Sequence, residues 1–280
     1  GTMYLSMNLN NRKNNKGKYY VDPDKQMWFQ DLDFRKAVDY AIDRKNMVLN
    51  IANGIGAPLF TPESLNSIYL NKNLKPYDKD LNKSKQLLKK SGFYLDKKGK
   101  LFDKHGHRVE FDLYTNAGNT EREAIGVMVK QDLEDLGMKV NFKPIEFNSL
   151  VNKLVSTYDW DMVIMGLTGS PLEPNGGKNV WLSDGRLHMF NQRTPQEGKA
   201  KILPWEKELD YLYTQGALAT KFKDRKKYYD KYQEVVYNEK PMIYIYSPIR
   251  IVALRNKFKN IYPSGLGGIT HNIEEIYIGE

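Results

Sequence analysis

Between residues 109 and 167 the chain switches hydrophobic periodicity four times, and that alternation limits the folds open to it. Residues 109–115 (VEFDLYT), 139–145 (KVNFKPI) and 161–167 (DMVIMGL) are short runs suited to strands. Between them, 121–136 carries apolar residues at helical spacing and is closed by Gly137, and 148–156 reads as a second helix. A β-α-β-α-β order with helices of 9 to 16 residues makes crossover connections, which join parallel strands. The predicted fold class is α/β, with a mixed, largely parallel sheet flanked by helices.

The flanking sequence is consistent with that frame. Residues 3–9 (MYLSMNL) read as a strand and 10–18 as a polar loop. From Phe34 the apolar positions 34, 38, 41, 42, 48, 49 and 52 keep a helical period, with Asp31 or Asp33 as N-cap and Gly54 just past the end. A helix is predicted over 81–90, stopped at Ser91-Gly92. Turns at Lys98-Gly99 and His105-Gly106 bracket Leu101-Phe102 and suggest a small hairpin. Farther on, 205–218 and 221–238 read as a helix pair, 243–246 and 250–254 as strands around Pro248, and 276–278 as a last strand. The opening Gly1-Thr2-Met3-Tyr4-Leu5 resembles the inside of a strand, so a targeting segment is expected upstream.

Charge and motifs narrow the function. The net charge is +9, but 34 acidic residues are interleaved with 43 basic ones. There is no arginine-rich stripe and no glycine-aromatic RNA-binding motif, so a solvated lysine-rich surface is expected and no nucleic-acid partner. No apolar run approaches the roughly 20 residues that span a bilayer. The absence of cysteine removes disulfides, thiolate nucleophiles and Cys-ligated metals together. No GxGxxG, P-loop or GxSxG pattern occurs.

Asp103, His105 and His107 stand at alternate positions, where a metal chelate is conceivable. The same D-K-H-G-H run is a hairpin turn without a further ligand, so neither metal nor cofactor is expected. His188 and His271 are isolated, and Asp43-Arg44 and Glu121-Arg122 read as solvated helix charges. Tyr228, Tyr229, Tyr232 and Tyr237 recur at near-helical spacing, which suits helix packing, with ligand stacking as the alternative.

The segment WDMVIMGLTGSPLEPNGGKNVW (160–181) drops from a buried-looking strand into glycine, proline and polar residues. In open α/β sheets ligands bind beyond the carboxyl ends of strands. Glycine admits close backbone approach and proline stiffens a loop; a plain surface crossover is the competing reading. The candidate contacts are Asn116, Gly166, Leu167 (through its main chain), Thr168, Ser170, Glu173, Asn175, Asn179 and Trp181. Trp181 stands in a polar loop where it would stack on a sugar ring or apolar side chain, with Trp160 able to join it. No catalytic residue is identified; a hydrolase using the same cleft is the alternative from another class.

The stretches FRKAVDYAIDRKNMV (34–48) and NGIGAPLFTP (53–62) carry the pattern F-x-x-A-x-x-x-A-I-D-R-x-x-[IMV], then Gly, a small residue and Pro. In these, and through 83–93, 111–140, 160–167 and 228–248, the chain resembles the extracytoplasmic solute-binding proteins of peptide-type ABC importers, family 5. The resemblance implies a periplasmic-binding-protein-like lobe. Residues 1–7 would be a crossover strand from a first lobe, 8–248 the second, ligand-binding lobe, and 249–280 return strands. It implies a non-enzymatic, monomeric protein outside the cytoplasm, lipid-anchored, that delivers an oligopeptide-type solute to a membrane permease. Oligopeptide binders of the family often carry an acid four residues before the proline of D-Y-x-[DE]-P. Here Ser170 holds that place before Pro174, the preceding strand offers no arginine, and Glu173 is the nearby acid. A neutral polar cleft is expected, suited to a backbone-held peptide or to an oligosaccharide. Main-chain groups of residues 166–168 would pair with an extended ligand as an added strand does.

Overall fold

A computed structural model describes residues 2–193, 202–249, 251–264 and 267–279. Strand β1 (Thr2–Met7) is buried from Tyr4 onward. Helices α1 (Pro23–Gln30), α2 (Leu32–Ala41) and α3 (Arg44–Ile51) follow. Asp22, Asp31 and Asp43 cap them, accepting from the N–H groups of Asp24, Phe34 and Asn46. One helix was expected from Phe34 to residue 52, but Ile42 is extended and Asp43 starts a new one. Aspartate prefers the cap to the helix interior, and the break turns Arg44 inward. Of the two candidate caps Asp31 serves; Asp33 instead pairs with Lys90 at 2.6 Å.

After β2 (Gly56–Pro58) and α4 (Leu81–Lys90) comes the predicted hairpin, β3 (Tyr94–Leu95) with β4 (Leu101–Phe102). Then β5 (Glu110–Asn116), α5 (Thr120–Glu134), β6 (Lys139–Ile145), α6 (Phe147–Asn152) with a π-turn over Lys153–Thr157, and β7 (Met162–Leu167) realise the predicted alternation. Short α7 (Lys178–Trp181) precedes the long pair α8 (Pro204–Leu218) and α9 (Phe222–Glu239). The described chain ends with β8 (Met242–Tyr244), β9 (Tyr246–Pro248), β10 (Phe258–Lys259) and β11 (Tyr277–Ile278). The strand expected over 250–254 does not form in the described part, 251–254, which is exposed and lacks regular structure.

The central sheet has the order β6-β5-β7-β1-β8. β6, β5 and β7 are parallel, joined by crossovers through α5 and α6, whereas β1 runs antiparallel to both β7 and β8. Met162, Val163 and Ile164 of β7 are fully buried, as expected of an inner strand covered on both faces. Gly137 stops α5 in the left-handed region (φ 84°) with its α-carbon hard against the Gly99 carbonyl, where a Cβ would lie 2.4 Å from that oxygen. Among the described residues no helix is long and apolar enough to cross a membrane, and no group of three or more His, Asp or Glu is placed to hold a metal.

Candidate ligand-binding cleft beyond strand β7

β7 delivers the chain into the loop 168–177 at the carboxyl end of the sheet's parallel half. There a cavity of about 240 Å³ opens. Leu167, Thr168, Ser170, Glu173, Asn179 and Trp181, all singled out by sequence, line it. Gly169 and Gly176 face open space, with nothing within 4 Å of where a Cβ would sit. The opposite wall comes from Glu63 and Ser64, before α4, and from Tyr213, Tyr232 and Tyr244 on α8, α9 and β8.

Three of the predicted contacts lie off the lining. Gly166 pairs with Met3 in the sheet, and a Cβ there would meet Arg122 Nη2 at 3.0 Å and Met3 Sδ at 3.1 Å. Strand pairing and side-chain packing are thus sufficient reason for glycine there. The β1-facing edge of residues 166 and 167 is likewise taken: Leu167 is in register with Thr2, whose hydroxyl reaches the Leu167 carbonyl at 3.4 Å. Asn116 accepts from Arg122 Nη1 at 2.7 Å. Asn175 sits in the 3₁₀ turn Pro174–Gly177 that Glu173 caps.

Trp181 is not held in a loop. It ends α7, is buried, and packs against Phe190 and Tyr232 with centroids 6.1 and 5.8 Å away. Trp160 is buried at the far end of β7 and cannot join it. The charges expected to be solvated are also engaged. Buried Arg44 pairs with Asp39 and donates Nε to the Tyr244 carbonyl at 2.7 Å, and Glu121 accepts from the Tyr246 hydroxyl at 2.6 Å. The D-K-H-G-H run is the turn: Asp103 Oδ1 accepts from the N–H groups of His105 and His107, both at 2.9 Å.

The cleft is acidic where neutrality was expected. Glu63, only 6% exposed, accepts from the Tyr232 hydroxyl on Oε1 and from Ser67 Oγ at 3.1 Å on Oε2. Burial pushes its carboxyl above the usual glutamate range, the Tyr232 and Ser67 bonds work against that, and the Glu173 charge adds to it. Burial likewise holds the hydroxyls of Tyr213, Tyr232 and Tyr244 well above the usual tyrosine range, so they stay protonated. Glu173 is matched by Arg225, Oε2 to Nη2 2.5 Å. No lysine, arginine or histidine among the described residues lines the cavity. A larger concavity of about 630 Å³ lies beside Arg44, Phe60 and Tyr77. Its charges are already paired: Lys45 to Asp78 at 2.7 Å, Lys79 to Asp132 at 2.6 Å. The smaller cavity has the stronger claim, because it carries polar groups still open to a ligand.

Sequence reading missed Glu63, Tyr213 and Tyr244. Glu63 carries no local signal, since it stands over a hundred residues from the loop it faces. Tyr232 had been legible only as part of a helix-packing stripe; it is buried as expected of such a stripe and lines the cavity as well.

A mixed sheet with a cavity beyond the end of a parallel strand places the chain among α/β folds that take ligands at strand ends. Residues 1–187 match the model for the middle part of bacterial extracellular solute-binding proteins, family 5, and the chain belongs to that family. It is 26% identical over 237 residues to the oligopeptide-binding protein AppA of Bacillus subtilis, a match covering 82% of this chain and 41% of AppA. A probable ABC transporter-binding protein of Deinococcus radiodurans is 31% identical over 202 residues, 65% of this chain and 34% of that protein. The structure of AppA in complex with a nonapeptide shares the fold, with a TM-score of 0.75 and 22% identity over all of this chain and 51% of that one. MelB of Agrobacterium fabrum, in complex with stachyose, does so with a TM-score of 0.77 and 19% identity over 88% of this chain and 37% of its own. The chain thus spans about half or less of the relatives it matches.

Proposed function

We propose that the whole protein captures an oligopeptide-type solute outside the cytoplasm and delivers it to the permease of an ABC importer, without catalysing a reaction. One observation carries this reading: the loop beyond β7 walls an open cavity and is not sealed beneath helices. In the same reading residues 8–248 form the ligand-binding lobe, with 1–7 and 249–280 running to and from a second lobe. Closure of the lobes would follow from the ligand's higher affinity for the closed form, which shifts the population. A cavity of 240 Å³ is below the roughly 300–1,000 Å³ of complete ligand pockets, as half of a two-lobed cleft would be. The protein would act as a monomer anchored to the outer face of the membrane.

An oligosaccharide is the second reading, favoured by Thr168 and Asn179, which are exposed polar side chains on the lining. Mass spectrometry of what co-purifies with the full-length protein separates the two. A bound peptide supports the first reading, a bound sugar the second. A protein that emerges empty, and whose melting temperature neither peptide nor oligosaccharide libraries raise, refutes both.

A further inference from the structure

Seven of the chain's nine net positive charges lie within residues 83–108, where eight lysines and one arginine stand against two aspartates. We propose that this stretch forms a docking face for an anionic phospholipid bilayer. The lysines of α4 and of the β3–β4 hairpin meet lipid phosphates, and Tyr94 and Leu95 rest against the headgroup layer. The proposal goes beyond solute capture and does not depend on it.

All eight lysines are exposed. Lys83, Lys85, Lys89 and Lys90 are spread over the outer side of α4, a helix without an acid, whose buried side is Ser84 and Leu88. Lys97, Lys98 and Lys100 crowd the turn between β3 and β4, and Lys104 stands in the turn after β4. The two parts form one surface. The Phe93 N–H donates to the Leu88 carbonyl at 3.0 Å, so the hairpin leaves directly from the end of α4. Lys104 lies back on that end, with its Cβ 3.1 Å from where a Cβ on Gly92 would sit. Among these lysines Tyr94 and Leu95 are 49% and 47% exposed, although both side chains are largely apolar.

A face that is merely solvated interleaves its charges, as α9 does: Lys226, Lys227 and Lys231 each pair with an acid of the same helix. Of the eight lysines here only Lys90 has an ion pair among the described residues, with Asp33 at 2.6 Å. The two local acids are spent on the backbone. Asp96 Oδ1 accepts from the N–H groups of Lys98 and Lys100, both at 2.8 Å, and Asp103 Oδ1 from those of His105 and His107. Unpaired like charges repel one another, and a plane of phosphates relieves that repulsion. Each lysine brought to such a plane raises partitioning roughly five-fold, and exposed tyrosine and leucine add apolar contact at headgroup level. A nucleic acid is better served by arginine forks; the one arginine here, Arg108, is turned to the Leu101 carbonyl at 2.7 Å. The place in the fold also suits a bilayer. The hairpin packs at the amino ends of the parallel strands, where Val109 donates to the Leu101 carbonyl at 3.0 Å and Leu101 to the Gly137 carbonyl at 2.8 Å. The cavity beyond β7 opens at the carboxyl end, so docking leaves it clear.

The test is co-sedimentation of the full-length protein, prepared without an acyl chain, with vesicles of phosphatidylcholine alone or with about one-third phosphatidylglycerol. Partitioning onto the anionic vesicles should be at least about twenty-five-fold stronger at low salt, the effect of two lysines, and should fall steeply between about 50 and about 500 mM salt. The triple variant Lys97→Glu, Lys98→Glu, Lys100→Glu should lose about nine-tenths or more of that gain. A control triple, Lys207→Glu, Lys221→Glu, Lys223→Glu, changes net charge equally at exposed lysines that have no ion pair among the described residues. It should keep at least about half of the gain. Equal partitioning of the wild-type protein onto both kinds of vesicle overturns the docking face. An equal loss in the two triple variants overturns it as well, since net charge alone would then account for the attraction. Retention on duplex DNA as strong as on the anionic vesicles overturns lipid as the partner. The wild-type comparison needs no variant, and all six substituted positions are exposed.

Discussion

Glu173 and Arg225 close an ion pair between the loop beyond β7 and the first turn of α9, Oε2 to Nη2 2.5 Å. Each partner is tied further. Glu173 caps the 3₁₀ turn through the Asn175 N–H and accepts from the Tyr229 hydroxyl, and Arg225 donates Nε to the Gly216 carbonyl at 3.2 Å. The pair therefore fastens the cleft loop to the helix hairpin. Exposed ion pairs contribute about 0.2–1 kcal/mol, and this partly screened, networked one belongs near the upper end. Arg225→Ala should lower urea stability by roughly 1 kcal/mol, less at high salt, and speed proteolytic cleavage in 168–177. Cleavage unchanged at that loop would show that the pair does not hold it.

His188 and Glu206 make a second fastening, deeper and costlier to lose. The imidazole Nε2 lies 2.6 Å from Glu206 Oε1 and Nδ1 lies 2.8 Å from the Val180 carbonyl, both side chains fully buried. Glu206 also accepts from Asn191 Nδ2 at 2.9 Å, which ties α8 to the segment behind Trp181. His188→Ala would leave a cavity and strand part of a buried carboxylate. The expected loss is about 3 kcal/mol, from missing contacts and unmade hydrogen bonds. Guanidinium unfolding of the variant checks it. A loss below about 1 kcal/mol would mean that water replaces the ring, as at a surface site.

Glu63 should leave a signature in the pH dependence of stability. Its folded carboxyl is raised above the ordinary glutamate value of about 4.3. Between the two values the folded state holds more proton than the unfolded one, so this group's contribution falls as pH rises through that window and is level above it. Glu63→Gln removes the contribution. The stability of the variant relative to wild type should therefore increase as pH rises from about 4 and then flatten. Urea unfolding at a series of pH values reads this directly, and a difference that does not change with pH would contradict a raised Glu63.

Gly216 sits in the last turn of α8 with the Tyr229 ring against it, 2.8 Å from where a Cβ would lie. Alanine is favoured over glycine in a helix by about 1 kcal/mol. Overpacking a rigid buried contact costs about 1–3 kcal/mol. The second effect should win, so Gly216→Ala is expected to lower the melting temperature. Combining it with Tyr229→Leu should give less loss than the sum of the two single changes, since the clash disappears with the ring.

The sheet was the most legible part of this molecule. The boundaries of β6 and α4 agree with their periodic runs, because each is set by side chains within a few residues of it. The same local logic found the hairpin around Leu101-Phe102 and narrowed the helix cap to Asp31 or Asp33, of which Asp31 serves. It failed at Ile42-Asp43, where the apolar stripe continues although the backbone breaks, and in 251–254, where β-prone residues find no neighbouring strand. A strand needs a partner, and its own residues do not reveal whether one is present.

At the cleft the divide is sharper. Loop chemistry after Leu167 is local, so Thr168, Ser170 and Glu173 were recognisable from glycine, proline and polar residues in a row. Arg122, by contrast, looked like a solvated helix charge until α5 folded its guanidinium onto Asn116 and Gly166. The acidity of the cavity was hidden more completely. Glu63, Tyr213, Tyr232 and Tyr244 come from four separate segments, and only packing of α8 and α9 beside β8 brings them to one wall. Periodicity and turn chemistry act over a handful of residues and so can be read along the chain. The sign of a buried site is a sum over side chains that are neighbours in space alone, and desolvation, which sets the weight of each charge, does not exist until the chain has closed around it.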